Sequence, residues 1–237
     1  MNAIRQWERA LFKKWRKHVA ADENLFFVED GALDPEAYTD ADLKICLFLK
    51  EVPFDGTAAS GYIFRERFLR EVEETGEEEY LENGGTLSIL AKRIEVIRYV
   101  FEGLPIPEPI QMLRESAYVN IKKYNGKKTS NQKDLENIAQ KDKDLLKVQI
   151  DDSLNPDTIL CGNTKPFLGL IYGENNIKPV MEDAKKRIQL FHLPVDEKQS
   201  RLIIEMPHPR HSGSENELLR ELKVLLEKYQ DSGLCII

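Results

Sequence analysis

Polar side chains that can perform acid–base and hydrogen-bonding chemistry follow, or lie within, four short apolar segments of the chain. They are Glu51 and Asp55 after the first segment, Asn120 in the second, Asn163 and Thr164 after the third, and His208 after the fourth. Carboxylates and imidazoles transfer protons, and a carboxamide both donates and accepts hydrogen bonds. Such groups can bind a polar ligand and cleave a bond in it, provided that the fold brings them together.

The apolar segments have the composition of strands that are buried on both faces of a sheet. They span residues 44–49, 117–121, 157–161 and 201–206. A short continuous apolar run bounded by Pro, Gly or polar residues is typical of a parallel strand in the middle of a sheet. Ligands of open α/β sheets bind beyond the carboxyl ends of the strands. We therefore expect the polar groups to converge at one edge of the sheet.

Helices are predicted before and between these strands. The first spans residues 3–19, where Ile4, Trp7, Leu11 and Trp15 recur at helical spacing on one face. The others are predicted at 62–74, 89–102, 132–150, directly after Thr164, at 180–191 and at 215–229. The alternation of strands and helices predicts an α/β fold in one domain, 1–237: a three-layer αβα sandwich with a mostly parallel four-stranded central sheet.

Composition excludes several classes of protein. The 237 residues include 34 basic and 41 acidic side chains, a net charge of −7, and 41% are hydrophobic, which is typical of a globular domain rather than a disordered one. No apolar run is long enough to span a membrane, and the three cysteines form neither a disulfide framework nor a metal-binding pair. We expect a reduced, cytoplasmic, monomeric protein with no membrane contact, no metal and no cofactor.

Positive charge is concentrated in two segments of this acidic chain. Residues 1–20 contain six basic side chains against one acidic side chain, and residues 121–133 contain five lysines and no acidic residue. A run of charge is usually a solvated surface, but two basic patches also permit local contact with nucleic acid.

Four short motifs occur in order along the chain. They are Lys50-Glu51-Val52-Pro53-Phe54, Tyr118-Val119-Asn120-Ile121, Leu160-Cys161-Gly162-Asn163-Thr164 and His208-Pro209-Arg210-His211-Ser212. Over residues 44–215 they resemble the motifs of the uracil-DNA glycosylase superfamily, and the smaller bacterial and archaeal branches are the most similar. The iron–sulfur branch needs four cysteines, so we predict no cluster here.

The resemblance implies a monofunctional DNA glycosylase, which hydrolyses the N-glycosidic bond of a flipped-out uracil or modified pyrimidine and leaves an abasic site. A hypermodified phage cytosine, excised in anti-phage defence, is one such base. It also implies that Asn120 binds the edge of the base and that His208 hydrogen-bonds the oxygen of the departing base. Val52 stands where the best-known members have a water-activating Asp. The catalytic carboxylate is then Glu51 or Asp55, or the enzyme relies on Asn120 and on electrostatic stabilisation without a carboxylate.

Further roles follow from the same resemblance. The base pocket is predicted to include Val52, Phe54, Tyr62 and Phe64. The DNA-binding residues are predicted to be Pro53, Lys122, Lys123, Lys127, Lys128, Gly162, Asn163, Thr164, Arg210 and His211. The backbone amides after Gly162 are expected to bind a DNA phosphate at a helix N-terminus.

Two other functions stay open. A member of the same fold that binds nucleic acid without chemistry is favoured by Val52, and a nucleoside hydrolase would use the same pocket on a small substrate. Each residue taken alone also has an ordinary structural role: Asn120 as a residue satisfied by backbone groups, His208 as a loop histidine, and the lysines as a solubilising loop.

Overall fold

The central element of the fold is a seven-stranded mixed sheet, seen in a computed structural model that describes residues 2–19, 27–51, 62–83, 85–103, 105–124, 131–197, 199–209 and 213–234. In spatial order its strands are β2 (Gly31–Ala32), β5 (Ser116–Lys122), β3 (Ile45–Glu51), β6 (Thr158–Gly162), β9 (Ser200–Met206), β8 (Gln189–Pro194) and β7 (Lys178–Glu182). Two further strands, β1 (Val28–Glu29) and β4 (Tyr62–Ile63), pair with each other in parallel.

The four strands predicted from the sequence are confirmed, and they form the parallel core of this sheet. Strand β3 pairs in parallel with β5 on one side and with β6 on the other, and β6 pairs in parallel with β9. The carboxyl ends of all four strands therefore meet at one edge. Because the chain adds β5 on one side of β3 and then β6 on the other, the strand order reverses between β3 and β6.

The central sheet has seven strands rather than the four that were predicted. The prediction of a helix at 180–191 is wrong. That segment forms the end of β7, a turn and the start of β8, both of which are antiparallel additions beside β9. The carboxylate of Asp183 accepts hydrogen bonds from the backbone N–H groups of Lys185 and Ile188 and so closes the turn. On the other side, β2 adds to β5 in antiparallel register.

Helices flank the sheet on both faces. They are α1 (Ala3–Val19), α2 (Pro35–Asp40), α3 (Phe64–Thr75), α4 (Glu77–Glu82), α5 (Gly85–Phe101), α6 (Pro109–Arg114), α7 (Gln132–Val148), α8 (Lys165–Tyr172) and α9 (Glu215–Asp231). The predicted helix at 132–150 changes to a π-helical turn, Gln149–Leu154, at its end. Within the described residues, no helix combines the length and the apolar composition needed to cross a bilayer.

Two apolar layers separate the helices from the sheet. Leu47 and Leu49 of β3 pack with α3, α5, α6 and α9 on what we call the first face. Cys46 and Phe48 pack with α1, α7 and α8 on the second face. Because side chains alternate along a strand, this division fixes the face to which every core strand residue belongs.

Candidate functional site

The turn that follows β9 contacts the end of β6 at the carboxyl edge of the sheet. A methyl group placed on Gly162 would lie 3.6 Å from Cδ2 of His208, 3.6 Å from Cδ of Pro209 and 2.9 Å from Cδ2 of Leu49. The first two distances are ordinary van der Waals contacts, so His208 and Pro209 pack beside the end of β6, and only the end of the Leu49 side chain would have to move to admit a Cβ at Gly162. His208 is half-buried there and lies on the first face, near the point where the strand order reverses.

The carboxamide of Asn120 is enclosed beneath this edge. Asn120 lies on the same face of β5 as Tyr118, whose ring stacks on that of Phe64 at a centroid distance of 4.5 Å. Its Nδ2 donates to Oδ2 of Asp30 at 3.1 Å, and its backbone N–H donates to the same oxygen at 2.7 Å. Asn120 is fully buried, and nothing among the described residues donates to its Oδ1. The hydrogen bonds to Asp30 hold this carboxamide in place, and its predicted contact with a base stays a prediction.

Asp30 connects three buried side chains that are far apart in sequence. Nζ of Lys123 lies 2.6 and 2.7 Å from its two oxygens, and Nε2 of Gln149 donates to Oδ1 at 2.9 Å. Burial lowers the pKa of Lys123, while the Asp30 carboxylate opposes that shift. Sequence reasoning missed Asp30 because an Asp-Gly pair is usually an exposed turn.

The predicted DNA contacts of Lys122 and Lys123 do not agree with the structure. Lys123 is fully buried in its ion pair with Asp30. Lys122 is also buried, and its ammonium lies 5.4 Å from the centre of the Tyr124 ring. The ammonium group of Lys123 is therefore committed to Asp30, and the predicted phosphate contact of Lys122 stays a prediction for a side chain that is 7% exposed.

The amides that were expected to bind a phosphate already have partners. The backbone N–H groups of Thr164 and Lys165 donate to Oε2 of Glu205 at 3.3 and 3.1 Å, and that of Asn163 donates to the carbonyl of Met206 at 2.9 Å. Thr164 is itself fully buried. A phosphate would have to displace the Glu205 carboxylate, so the assignment of Gly162, Asn163 and Thr164 to DNA binding is not supported.

Glu205 is a titratable group at this edge that the sequence did not reveal, because it lies inside the strand Arg201–Met206. Burial raises its pKa to about 7, and the two amides together with Lys165 and Lys50 oppose the shift. Its neighbours Ile204 and Met206 belong to the first face, so Glu205 faces the second. The sheet therefore separates Glu205 from His208.

Several predicted site residues cannot be compared with the structure. Glu51 ends β3 opposite Lys122, and Tyr62 belongs to β4, but their side chains lie outside the described part of the chain. Also outside the described residues are Val52, Pro53, Phe54, Asp55, Lys127, Lys128, Arg210 and His211. Their predicted roles stay predictions.

Metal-binding and thiol chemistry find little support in the described residues. They contain no group of three or more His, Cys, Asp or Glu side chains arranged to hold a metal ion. Cys46 and Cys161 are buried free thiols, and burial raises the pKa of Cys46 to about 12 and that of Cys161 well above its ordinary value. Neither thiol ionises near neutral pH, so both act as small core side chains.

The structure thus brings together His208, Gly162 and Leu49 at the reversal point of the sheet, with Asn120 enclosed in the neighbouring strand. No protein-family model matches the chain. No curated protein matches it either.

Proposed function

We propose that the protein is a monofunctional DNA glycosylase with a uracil-DNA glycosylase-like αβα sandwich, acting on a flipped-out uracil or modified pyrimidine. The observation that carries the proposal is the position of His208 at the carboxyl edge, where Cδ2 of its ring lies 3.6 Å from the place that a Cβ on Gly162 would occupy and where the strand order reverses between β3 and β6. In α/β sheets this crevice is the usual ligand site. We assign the half-buried imidazole of His208 to the recognition of a ligand that enters the crevice.

Hydrolysis of the glycosidic bond defines what that site has to do. The bond between C1′ and the base nitrogen breaks, the electron pair leaves with the base, and the oxygen of water bonds to C1′. One proton of that water is released as the bond to C1′ forms, and the departing base takes up a proton. His208 stabilises the negative charge that develops on the base oxygen. Glu51 or Asp55 supplies the carboxylate that orients the water or stabilises the cationic sugar.

Asn120 has an indirect part in this proposal. Because its carboxamide is enclosed and bonded to Asp30, it holds the end of β5 in place rather than binding the base. An extruded base would then be recognised by groups of the loops beyond the strand ends.

A second candidate is a DNA-binding protein that kept the fold and lost the chemistry. Two observations favour it: Asn120 is enclosed, and Glu205 occupies the amides at the start of α8. This candidate and the glycosylase differ in one measurable property, since only the glycosylase releases a base from DNA.

An abasic-site assay tests the proposal. The protein is incubated with single- and double-stranded oligonucleotides that carry uracil, hypoxanthine or a 5-substituted cytosine, and abasic sites are cleaved with alkali. We expect alkali-dependent cleavage at one of these bases and no strand cleavage without alkali. Binding without base release would support the second candidate, and release of uracil from free deoxyuridine alone would indicate a nucleoside hydrolase.

A further inference from the structure

Helix α1 divides its side chains sharply between the core and the solvent. Leu11, Phe12 and Trp15 are buried against the second face of the sheet. The opposite side carries three exposed lysines, Lys13, Lys14 and Lys17. No acidic group of the described residues lies within ion-pair distance of these three ammonium groups.

Two arginines of α1, unlike these three lysines, form ion pairs with acidic side chains of the protein. Arg5 pairs with Glu36, and Arg16 pairs with Glu29 and lies over the ring of Phe27. Intramolecular pairing therefore accounts for Arg5 and Arg16. It does not account for the three lysines, which we call the α1 lysine strip.

The orientation of α1 places this strip on the second-face side of the sheet, towards the carboxyl edge. At its first end, Asn2 donates to the carbonyl of Pro35, beyond the amino end of β5. At its other end, the Trp15 ring lies 5.1 Å from Nζ of Lys123, directly after the carboxyl end of β5. The strip belongs to the second half of the helix, so it lies towards the edge at which β3, β6 and β9 also end.

The chemistry of the strip fits a polyanion rather than a lipid surface. A helix that binds a membrane must insert its apolar face, but Leu11, Phe12 and Trp15 of α1 are already buried against the sheet, and of the large apolar side chains that the structure describes in this helix only Trp7, at 54%, is exposed. Lysine ammonium groups on flexible stems neutralise phosphates without reading sequence. In a protein of net charge −7, a local basic strip also orients an approaching polyanion towards one edge.

We propose that the α1 lysine strip binds the backbone of DNA that crosses the carboxyl edge of the sheet, on the side opposite to His208. The inference rests on the proposed function, because it assigns the strip to the same DNA that delivers the base. It also replaces the buried Lys122 and Lys123 as the basic surface of that edge. Lys13 and Lys17 are one helical turn apart, about 6 Å along the axis, so both can contact the same DNA backbone.

The experiment compares two double variants with the same change in charge. In Lys13→Gln/Lys17→Gln the strip loses two charges, and in Lys178→Gln/Lys228→Gln two exposed lysines of β7 and α9 are lost instead. Binding to a labelled DNA duplex is measured by fluorescence anisotropy between about 50 and 200 mM salt. We expect the strip variant to bind at least tenfold more weakly and its log–log salt slope to fall by about 1.8, while the control stays within twofold of the parent.

Charge must be separated from folding and from catalysis. Lys13→Arg/Lys17→Arg keeps the charge and is expected to keep the affinity, and thermal unfolding followed by circular dichroism shows that each variant folds. Equal affinities of the strip and control variants, or no DNA binding by the parent protein, would overturn the inference. Binding of the parent and of the strip variant is also measured to vesicles of equal parts phosphatidylserine and phosphatidylcholine. If the strip substitutions weaken binding to these vesicles but not to DNA, the inference is likewise overturned.

A single-turnover assay of base release distinguishes the two proposals. If the parent protein binds DNA through the strip but releases no base, the proposed glycosylase activity is refuted and the proposed role of the strip is supported. If it releases a base and the strip variant binds DNA as tightly as the parent, the proposed role of the strip is refuted and the proposed glycosylase activity is supported.

Discussion

Nζ of Lys123 lies 2.6 Å from Oδ1 and 2.7 Å from Oδ2 of Asp30, and both side chains are enclosed in the protein interior. The pair joins the end of β5 to the segment before β2. Asp30 also accepts two hydrogen bonds from Asn120. The ion pair therefore holds the carboxyl end of β5 in place at the edge where we place the active site.

Removing the lysine of this pair should be strongly destabilising. In Lys123→Met the Asp30 carboxylate stays buried without its counter-charge, and we expect a loss of about 3–5 kcal/mol in the free energy of unfolding. Urea denaturation of the parent and the variant measures it. Lys141→Met on the exposed side of α7 is the control and should change stability by less than about 0.5 kcal/mol. Equal effects of the two substitutions would mean that the pair contributes nothing.

The close approach of Gly31 to Glu8 gives a second prediction. A methyl group on Gly31 would lie 1.8 Å from Oε1 of Glu8, the oxygen that accepts from the backbone N–H of Ala32, and Gly31 has a φ of +113°. Gly31→Ala should therefore cost about 2–5 kcal/mol, the sum of backbone strain and a displaced carboxylate. Gly233→Ala, at a φ of +69° with nothing nearby, should cost about 1 kcal/mol. A thermal unfolding series that ranks the two variants in the opposite order would contradict the close contact.

Glu205 should make the stability depend on pH near neutrality. Its pKa rises from 4.5 to about 7 on folding, so between these values the native state holds a proton that the unfolded state has lost. Stability then falls as pH rises, by about 1.4 kcal/mol per pH unit for one group, and the effect is complete above about pH 7. In Glu205→Gln the amide oxygen still accepts from Thr164 and Lys165 but does not titrate.

Urea denaturation at several pH values from about 5 to 7 tests this sign. The loss of stability with rising pH should be shallower for Glu205→Gln than for the parent by about 1 kcal/mol per pH unit. Glu8, whose pKa burial also raises to about 7, contributes equally to both proteins and cancels from the difference. Parallel curves for the two proteins would show that Glu205 is not protonated in this range.

The parallel core and the first helix were predictable because their signals are local. Continuous apolar runs such as Ile45–Glu51 indicate strands covered on both faces, and the helical spacing of Leu11 and Trp15 indicates one buried helix face. Both were confirmed within a residue or two at their ends. The carboxyl-edge position of His208 followed from this core and from general α/β topology alone.

The errors have physical causes that a single sequence does not contain. Residues 180–191 include Glu, Ala, Lys and Arg, which favour a helix, yet pairing with β9 overrides this preference and produces two antiparallel strands. The burial of Lys123 is not visible in the local sequence, because its partner Asp30 is 93 residues away along the chain. The role of Glu205 has no signal in the sequence, because its hydrogen bonds to the start of α8 depend on the register of β6 and β9.

The most direct test of the account is base release by a His208 variant. If His208 stabilises the departing base, His208→Ala should release the base about 100-fold more slowly than the parent in a single-turnover abasic-site assay, at unchanged affinity for DNA. His192→Gln, a substitution on β8 beside the edge strand β7, should keep the parent rate. A His208→Ala protein that is folded and releases the base at the parent rate, or a parent protein that releases no base from any of the oligonucleotides, would contradict the account.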